Sequence, residues 1–276
     1  MKAVILAGGL GTRLQPYTFF IPKPMLPLGN KPLLEHIIDW LVHNDNINSI
    51  SASPTDENYV NDYIKKSSNL KITRRKGKNA IDHIILCVSY LHRTIEDYFE
   101  DGTRFGVKIE YVRSERPLAT AGQLKTAERM LDDTFVCLYG DSIYGFNLDK
   151  MINEHKRSKA FVSMALLSYK TNLKYGFIDL DSSGQKSQQY NNKVVNWREK
   201  PEVSGLINVG CYVMEPKFLR LIPKSSSFGM DSAVRKALEQ KQDVRGFKID
   251  SGFIDIGDKK SYLQAYKKYL KKLGKI

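Results

Sequence analysis

The sequence predicts an α/β protein with a mostly parallel, mixed central sheet, and three observations carry that reading. A buried-strand run at the N-terminus leads into a glycine-rich turn. Strands and helices alternate through the first half, which implies βαβ units. The second half supplies strand-like runs with few helices between them, which extends the sheet with mixed strands. Lys2 to Leu6 is apolar without alternation, as in a strand covered on both faces. The turn runs from Ala7 to Thr12. Pro16, Pro22, Pro24 and Pro27 then keep the next stretch out of a regular helix. Lys31 to His43 has Leu34, Ile37, Ile38 and Leu41 on one helical face, with Pro32 suited to the first turn. Ile84 to Val88 reads as a strand, Thr94 to Phe99 as a helix, Val107 to Val112 as a strand, Ala121 to Leu131 as a helix and Thr134 to Tyr139 as a buried strand. Further strands are expected at Phe161 to Leu167, Phe177 to Leu180, Lys193 to Trp197 and Leu206 to Met214. A helix at Asp231 to Gln240 and a strand at Val244 to Ile249 follow. In the last helix, Lys259 to Leu273, Tyr262, Leu263, Tyr266, Tyr269, Leu270 and Leu273 share a face with lysines opposite, as in a docked terminal helix.

The 276 residues suit a single domain over 1–276, with a basic insertion at 44–80 and a basic amphipathic helix at 259–276. The insertion carries a capping box at Ser53-Pro54-Thr55-Asp56 and the basic loop Arg74-Arg75-Lys76-Gly77-Lys78; an oligomer contact or a lid is its expected role. No apolar run is long enough to span a bilayer, and Met1 to Leu6 is too soon broken by Gly8 and Gly9 for a signal peptide, so a cytoplasmic location and no membrane partner are expected. Cys87, Cys137 and Cys211 are odd in number, widely spaced and set in apolar stretches. They read as small buried side chains in a reducing compartment. The net charge is +13, of which +3 falls on 44–80 and +7 on 259–276, leaving +3 for all the rest. A charge excess confined to accessory segments argues against nucleic acid as a partner. The five histidines show neither metal spacing nor a nucleophile partner.

The strongest chemical signal is Leu6-Ala7-Gly8-Gly9-Leu10-Gly11-Thr12-Arg13-Leu14, followed by Pro22-Lys23-Pro24. A strand ending in glycines lets backbone N–H groups approach phosphates closely. The Walker arrangement is absent, and the dinucleotide pattern would need glycine where Leu14 stands. Arg13 suits the planar grip of a polyphosphate and Lys23 offers a point charge. Asp141 follows a buried strand and Gly140, and Asp255 follows an apolar pair and precedes Gly257. Carboxylates at strand ends point into ligand crevices, although a turn residue or helix cap is the competing reading for each.

Residues 1–34 resemble the signature of the sugar-1-phosphate nucleotidylyltransferases, also called nucleotide-sugar pyrophosphorylases: G-G-x-G-T-R-L, a gap, then K-P-x-x-P and K-P-L. The likeness continues at Pro117-Leu118-Ala119-Thr120-Ala121-Gly122, Tyr139-Gly140-Asp141, Tyr175-Gly176, Glu199-Lys200, Asn208-Val209-Gly210 and Phe253-Ile254-Asp255-Ile256-Gly257. The resemblance implies a Rossmann-like three-layer sandwich of the nucleotide-diphospho-sugar transferase type. It implies transfer of a nucleotidyl group from a nucleoside triphosphate to a hexose 1-phosphate, glucose or mannose 1-phosphate, with pyrophosphate released. Arg13 and Lys23 would be catalytic. Leu6, Ala7, Gly8, Gly9, Gly11, Thr12, Arg13, Lys23 and Gly122 would bind the nucleotide, and Tyr175, Gly176, Glu199, Lys200, Asn208 and Gly210 the sugar phosphate. Asp141 and Asp255 would hold Mg²⁺, which prefers one or two carboxylates plus phosphate oxygens. Thymidylyl relatives carry a base-reading glutamine where this chain has Gly122, with Gln123 one residue later, which leaves uridine and guanosine triphosphates open. A homo-oligomer is a further expectation, and the alternative function is a catalytically idle paralogue that binds nucleotide-sugar and regulates a partner.

Overall fold

β1 (Lys2–Leu6) is flanked by parallel neighbours on both sides, and its residues divide between two cores. Ala3 and Ile5 pack into one, Val4 and Leu6 into the other. That double burial is why the strand shows no polar alternation. The structure is a computed structural model and describes residues 1–43, 77–181 and 193–272, with side chains through 267. The capping box at 53–56 and the basic loop at 74–76 lie outside the described residues.

After β1 the chain makes short 3₁₀ turns at Thr12–Leu14, Tyr17–Phe19 and Lys23–Met25, and the prolines indeed leave no regular helix there. The two-residue strands β2 (Pro27–Leu28) and β3 (Lys31–Pro32) pair before α1 (Leu33–Val42). Pro32 is thus the helix cap with an extended ψ of 154°, not a first-turn residue as expected, because Lys31 and Pro32 are held in the strand pair. β4 (His83–Val88), α2 (His92–Phe99), β5 (Lys108–Arg113), α3 (Ala119–Thr126) and β6 (Phe135–Tyr139) complete the alternating half. The long helix expected to Leu131 stops at Thr126 and continues only as a 3₁₀ turn over Glu128–Met130.

The second half contains β7 (Ser142–Tyr144), α4 (Leu148–Ser158), β8 (Val162–Asn172), β9 (Phe177–Leu180), β10 (Val194–Arg198), β11 (Glu202–Met214), α5 (Met230–Glu239), β12 (Val244–Ile249), β13 (Phe253–Asp255) and α6 (Lys259–Lys272). Helix α4 was not anticipated. Asn147 caps it by accepting the Lys150 N–H at 2.9 Å, and Leu148, Met151, Ile152 and His155 form its buried stripe. Strands β8 and β11 run longer than expected because they pair with each other beyond the sheet, Glu202 against Asn172 through Leu206 against Ser168.

The main sheet has the order β12-β8-β11-β6-β1-β4-β5, with only β11 reversed. Helices α1, α2 and α4 cover one face; α3, α5 and the 3₁₀ segment Pro216–Leu221 cover the other. This is the three-layer α/β sandwich the sequence predicts. Chain order reverses at β1: β4 and β5 lie on one side and β6 on the other. The crevice outside the carboxyl ends of β1 and β6 is therefore the topological switch point, where open α/β sheets bind ligands. Cys87, Cys137 and Cys211 are all buried and unpaired, and burial pushes the Cys87 thiol up to about 12.

A third core cluster of Leu14, Leu26, Leu28, Leu33, Ile143, Ile256, Tyr262 and Ala265 docks α6 against the turns that follow β1. The Tyr262 hydroxyl donates to the Pro27 carbonyl at 2.8 Å. Leu263, expected on the buried face, is 45% exposed; the burial stripe follows Tyr262 and Ala265 instead. Among the described residues no helix is long and apolar enough to cross a membrane. Removing the anchor with Tyr262→Ala is expected to cost about 3 kcal/mol and to lower the melting temperature by roughly 5–10 °C. Leu263→Ala is expected to leave it within about 0.5 kcal/mol of the parent. Equal melting of the two variants by calorimetry would refute the docking role of Tyr262.

Candidate active site

The glycine turn divides its backbone N–H groups sharply. The Ala7 N–H donates to the Cys87 carbonyl at 2.8 Å and the Gly8 N–H to Gln123 Oε1 at 3.0 Å. From Gly9 to Arg13 no acceptor among the described residues takes an N–H. Five consecutive amides with no acceptor among the described residues, beside a strand end, are available to an anion. Gly11 makes the bend with φ of 62°, and Thr18 locks it: its hydroxyl donates to the Gly11 carbonyl at 2.9 Å, and a Cβ on Gly11 would stand 2.8 Å from Thr18 Cγ2. At Gly9 an added Cβ would meet nothing in the protein, so the chain's own packing does not demand glycine there.

Two charged side chains meet across this turn, and two more lie within electrostatic reach of them. Lys23 is almost fully buried, and its Nζ stands 2.5 Å from Asp141 Oδ2 at the end of β6. Strands β7 and β13 pair with Ser142 opposite Asp255, which sets the residue after Asp141 across from the second carboxylate. Burial holds the Asp255 carboxyl above the usual carboxylate range and the neighbouring Asp141 charge adds to the rise, while Lys23 and Arg13 pull it back. Asp255 is therefore within electrostatic reach of all three other residues. Its carboxylate folds over Gly257, where a Cβ would come within 2.9 Å of Oδ2. Arg13 lies on the exposed rim of the turn.

The two carboxylates, Asp255 raised chiefly by burial and further by the Asp141 charge, form a donor set that fits a divalent cation. Among the described residues no cluster of three or more metal-ligating side chains competes with it. The remaining coordination positions would fall to water or phosphate oxygens.

Leu6 ends β1 with 7% exposure. The N–H of Gly122, expected to face the nucleotide, is not free: it donates to the Phe228 carbonyl at 2.9 Å, and a Cβ there would come within 2.6 Å of the Ser226 carbonyl. Gly122 packs α3 against the loop before α5. The adjacent Gln123 contacts the glycine turn instead, through a hydrogen bond to Gly8 that spans 115 residues. No local pattern announces it. Asp231 sits in the first turn of α5, whose cap is Gly229.

The sugar-side residues fall into two groups. Asn208 and Gly210 form a bulge in β11, where the register shifts between Asn208 and Tyr212. The Asn208 carboxamide turns inward, donating to the Tyr212 hydroxyl at 2.5 Å and accepting the Gly210 N–H at 3.0 Å. Gly210 has φ of 76° and would carry a Cβ 2.3 Å from the Tyr139 ring, two residues before Asp141. Tyr175, Gly176, Glu199 and Lys200 lie on or beside the β9–β10 ribbon, where Glu199 Oε2 accepts the Trp197 indole N–H at 3.3 Å. No hydrogen bond or ion pair among the described residues joins this second group to Arg13, Lys23, Asp141 or Asp255.

Comparison with known proteins agrees with this architecture. The chain is 32% identical over 272 residues to D-glycero-alpha-D-manno-heptose 1-phosphate guanylyltransferase of Aneurinibacillus thermoaerophilus, covering 97% of each chain. It is 30% identical over 284 residues to UTP–glucose-1-phosphate uridylyltransferase of Synechocystis sp., covering 96% of this chain but 62% of that protein's length. UDP-glucose pyrophosphorylase from Acinetobacter baumanii shares the fold with a TM-score of 0.65 at 22% identity, over 98% of this chain and 93% of that one. Residues 2–82 and 72–272 match the nucleotidyl transferase family, and the chain belongs to it.

Proposed function

We propose that this protein transfers the nucleotidyl group of a nucleoside triphosphate to a sugar 1-phosphate, with glucose and mannose 1-phosphate as expected acceptors, and releases pyrophosphate. The observation that supports the reading is the Lys23–Asp141 pair, with Asp255 under the electrostatic influence of both and of Arg13, beside five amides that no described residue takes at the switch point of the sheet. Relatives named as guanylyl- and uridylyltransferases of sugar 1-phosphates support it. The buried, unpaired cysteines support a reducing, cytoplasmic setting.

The sugar phosphate needs no general base, since its second pKa of about 6 leaves it a dianion near neutrality. Its oxygen forms a bond to the α-phosphorus as the bond from that phosphorus to the β-phosphate bridging oxygen breaks. The work left to the protein is alignment and charge compensation. The amides of Gly9, Leu10, Gly11, Thr12 and Arg13 and the Arg13 guanidinium hold the triphosphate and the departing pyrophosphate. Lys23, paired with Asp141, sets a fixed positive charge beside the phosphates. Asp141 and Asp255 would hold Mg²⁺, which when bound supplies Lewis-acid charge at the α-phosphate. Lys200 meets the attacking phosphate, Glu199 and Tyr175 with Gly176 face the sugar, and Asn208 and Gly210 shape the wall through the β11 bulge.

Arg13→Ala is expected to cut turnover by on the order of 10²–10³, as for a lost oxyanion donor, without lowering the melting temperature. Full pyrophosphate release by that variant would remove Arg13 from the mechanism. Chelation by EDTA is expected to stop pyrophosphate release and added Mg²⁺ to restore it. Asp255→Asn is expected to raise the Mg²⁺ concentration for half-maximal rate by on the order of 10–100-fold. An unchanged Mg²⁺ titration would show that Asp255 is no ligand.

A further inference from the structure

Thr18 is buried and bonds inward to Gly11, so its neighbours in the same 3₁₀ turn face outward. Tyr17 and Phe19 are exposed, Phe20 is 79% exposed, and the exposed Ile21 continues the run. The Phe20 and Ile21 N–H groups both donate to the Tyr17 carbonyl at 3.2 Å, which folds the run into a compact knob. Phe19 and Phe20 meet edge to face with ring centroids 6.5 Å apart. The hydroxyl of Tyr90, itself exposed, donates to the Phe19 carbonyl at 3.1 Å. Single exposed apolar side chains are ordinary on a protein surface, but a contiguous cluster marks an interaction site.

Helix α6 lies against this knob, with the Tyr17 and Tyr262 rings 6.4 Å apart. Tyr262, Ala265 and Tyr266 turn to the core. Lys260, Leu263, Gln264 and Lys267 therefore share the outer face at helical spacing, and all four are exposed. The exposure of Leu263, which does nothing for the docking of the helix, puts an aliphatic side chain among lysines on that face. Between Lys259 and Ile276 the sequence has seven lysines, no arginine and no acid. The acid just before them, Asp258, is engaged at the helix start, where it accepts the Ser261 N–H at 2.8 Å.

An apolar knob beside an all-lysine helix calls for a partner that is anionic and takes up apolar side chains. A second copy of the chain would bring the same positive charge to the contact, which opposes it. Single-stranded nucleic acid is gripped by aromatic platforms and by arginine, which stacks; here the helix cations are lysines only, and Ile21 and Leu263 have no stacking face. An anionic bilayer meets both halves of the surface. Lysines are drawn to its surface charge, and Phe and Leu side chains enter the boundary between headgroups and acyl chains. Docking of this kind needs no helix that crosses the membrane.

We propose that the Tyr17–Ile21 knob and the outer face of α6 form one surface that docks this protein on an anionic membrane, with Phe20 and Leu263 entering the headgroup region and Lys260 and Lys267 facing the lipid charge.

Flotation of the full chain with vesicles tests this without any substrate, so its failure leaves the proposed transfer reaction untouched. The protein is expected to partition at least about tenfold more strongly onto phosphatidylcholine vesicles containing phosphatidylserine than onto phosphatidylcholine alone. Salt at about 1 M, where the screening length falls to about 3 Å, is expected to release it. Lys260→Glu with Lys267→Glu is expected to weaken the partitioning by about tenfold or more, and Phe20→Ser with Leu263→Ala by a similar factor, both at an unchanged melting temperature. Phe20→Trp is expected to add a blue shift of fluorescence emission on vesicle binding that the unaltered protein does not show. Equal partitioning onto the two kinds of vesicle, undiminished binding by the folded double-glutamate variant, or emission from Phe20→Trp that vesicles do not move would overturn the proposal. So would binding to a single-stranded oligonucleotide in preference to the anionic vesicles.

Discussion

The ion pair between Lys23 and Asp141 ties the active-site half of the molecule together. It joins the turn after β1 to the end of β6, two segments 118 residues apart, through a lysine with 7% of its side chain exposed. Burying such a pair is expensive in desolvation and returns little net stability. Its value lies in what it holds ready. Remove Lys23 from the balance and Asp141 and Asp255 would face each other with only Arg13 to offset them. The protein carries its counter-charge where the substrate's cation and phosphates would supply one, so exchange of partners can proceed without leaving a carboxylate unpaired in a partly dry cleft.

Around that pair the backbone separates structure from binding residue by residue. Ala7 and Gly8 belong to the scaffold, since their N–H groups are taken by Cys87 and Gln123. On the proposed reading, Gly9 through Arg13, whose N–H groups no described residue takes, serve the ligand. Thr18 and the cluster of Leu14, Leu26, Leu28 and Tyr262 hold this free stretch from behind, so its amides stay aligned without bonding to one another. Preorganised donors of this kind need no rearrangement at the moment of reaction, which is the source of their effect on rate.

How much of this was legible in the sequence depended on distance along the chain. The β1 strand, the glycine turn and the flanking Arg13 and Lys23 lie within two dozen residues, so strand pattern, turn chemistry and charge spacing could be read together. The alternating first half followed from apolar periodicity. Helix α4 was missed although Leu148, Met151, Ile152 and His155 have helical spacing, because its polar residues dominate and a strand-rich context was already expected. The extra length of β8 and β11 leaves no periodic mark, as those residues pair with each other while exposed. Residue resemblance, not periodicity, joined Asp141 to Asp255; their proximity comes from β7 pairing with β13. Gly122 and Gln123 show the limit most plainly. Adjacent in sequence, they bond different neighbours, the Gly122 N–H the Phe228 carbonyl and the Gln123 oxygen the Gly8 N–H, and no local pattern announces either contact.

The two halves of the proposed site differ in exposure and bracing. On the proposed reading, the triphosphate half is made of the end of β1 and a turn braced at Gly11 by Thr18. The residues assigned to the sugar phosphate sit on an exposed two-stranded ribbon, where Tyr175 is 80% and Trp197 65% exposed. A reaction in which a dianion attacks a polyanion needs the electrophile fixed before the nucleophile arrives, because the cations must first lower the charge at the α-phosphorus. A braced triphosphate site and a more open sugar site match that order. The Asn208–Gly210 bulge, braced on Tyr139 and Tyr212, is the physical link between them: it sets the end of β11 against the strand that delivers Asp141.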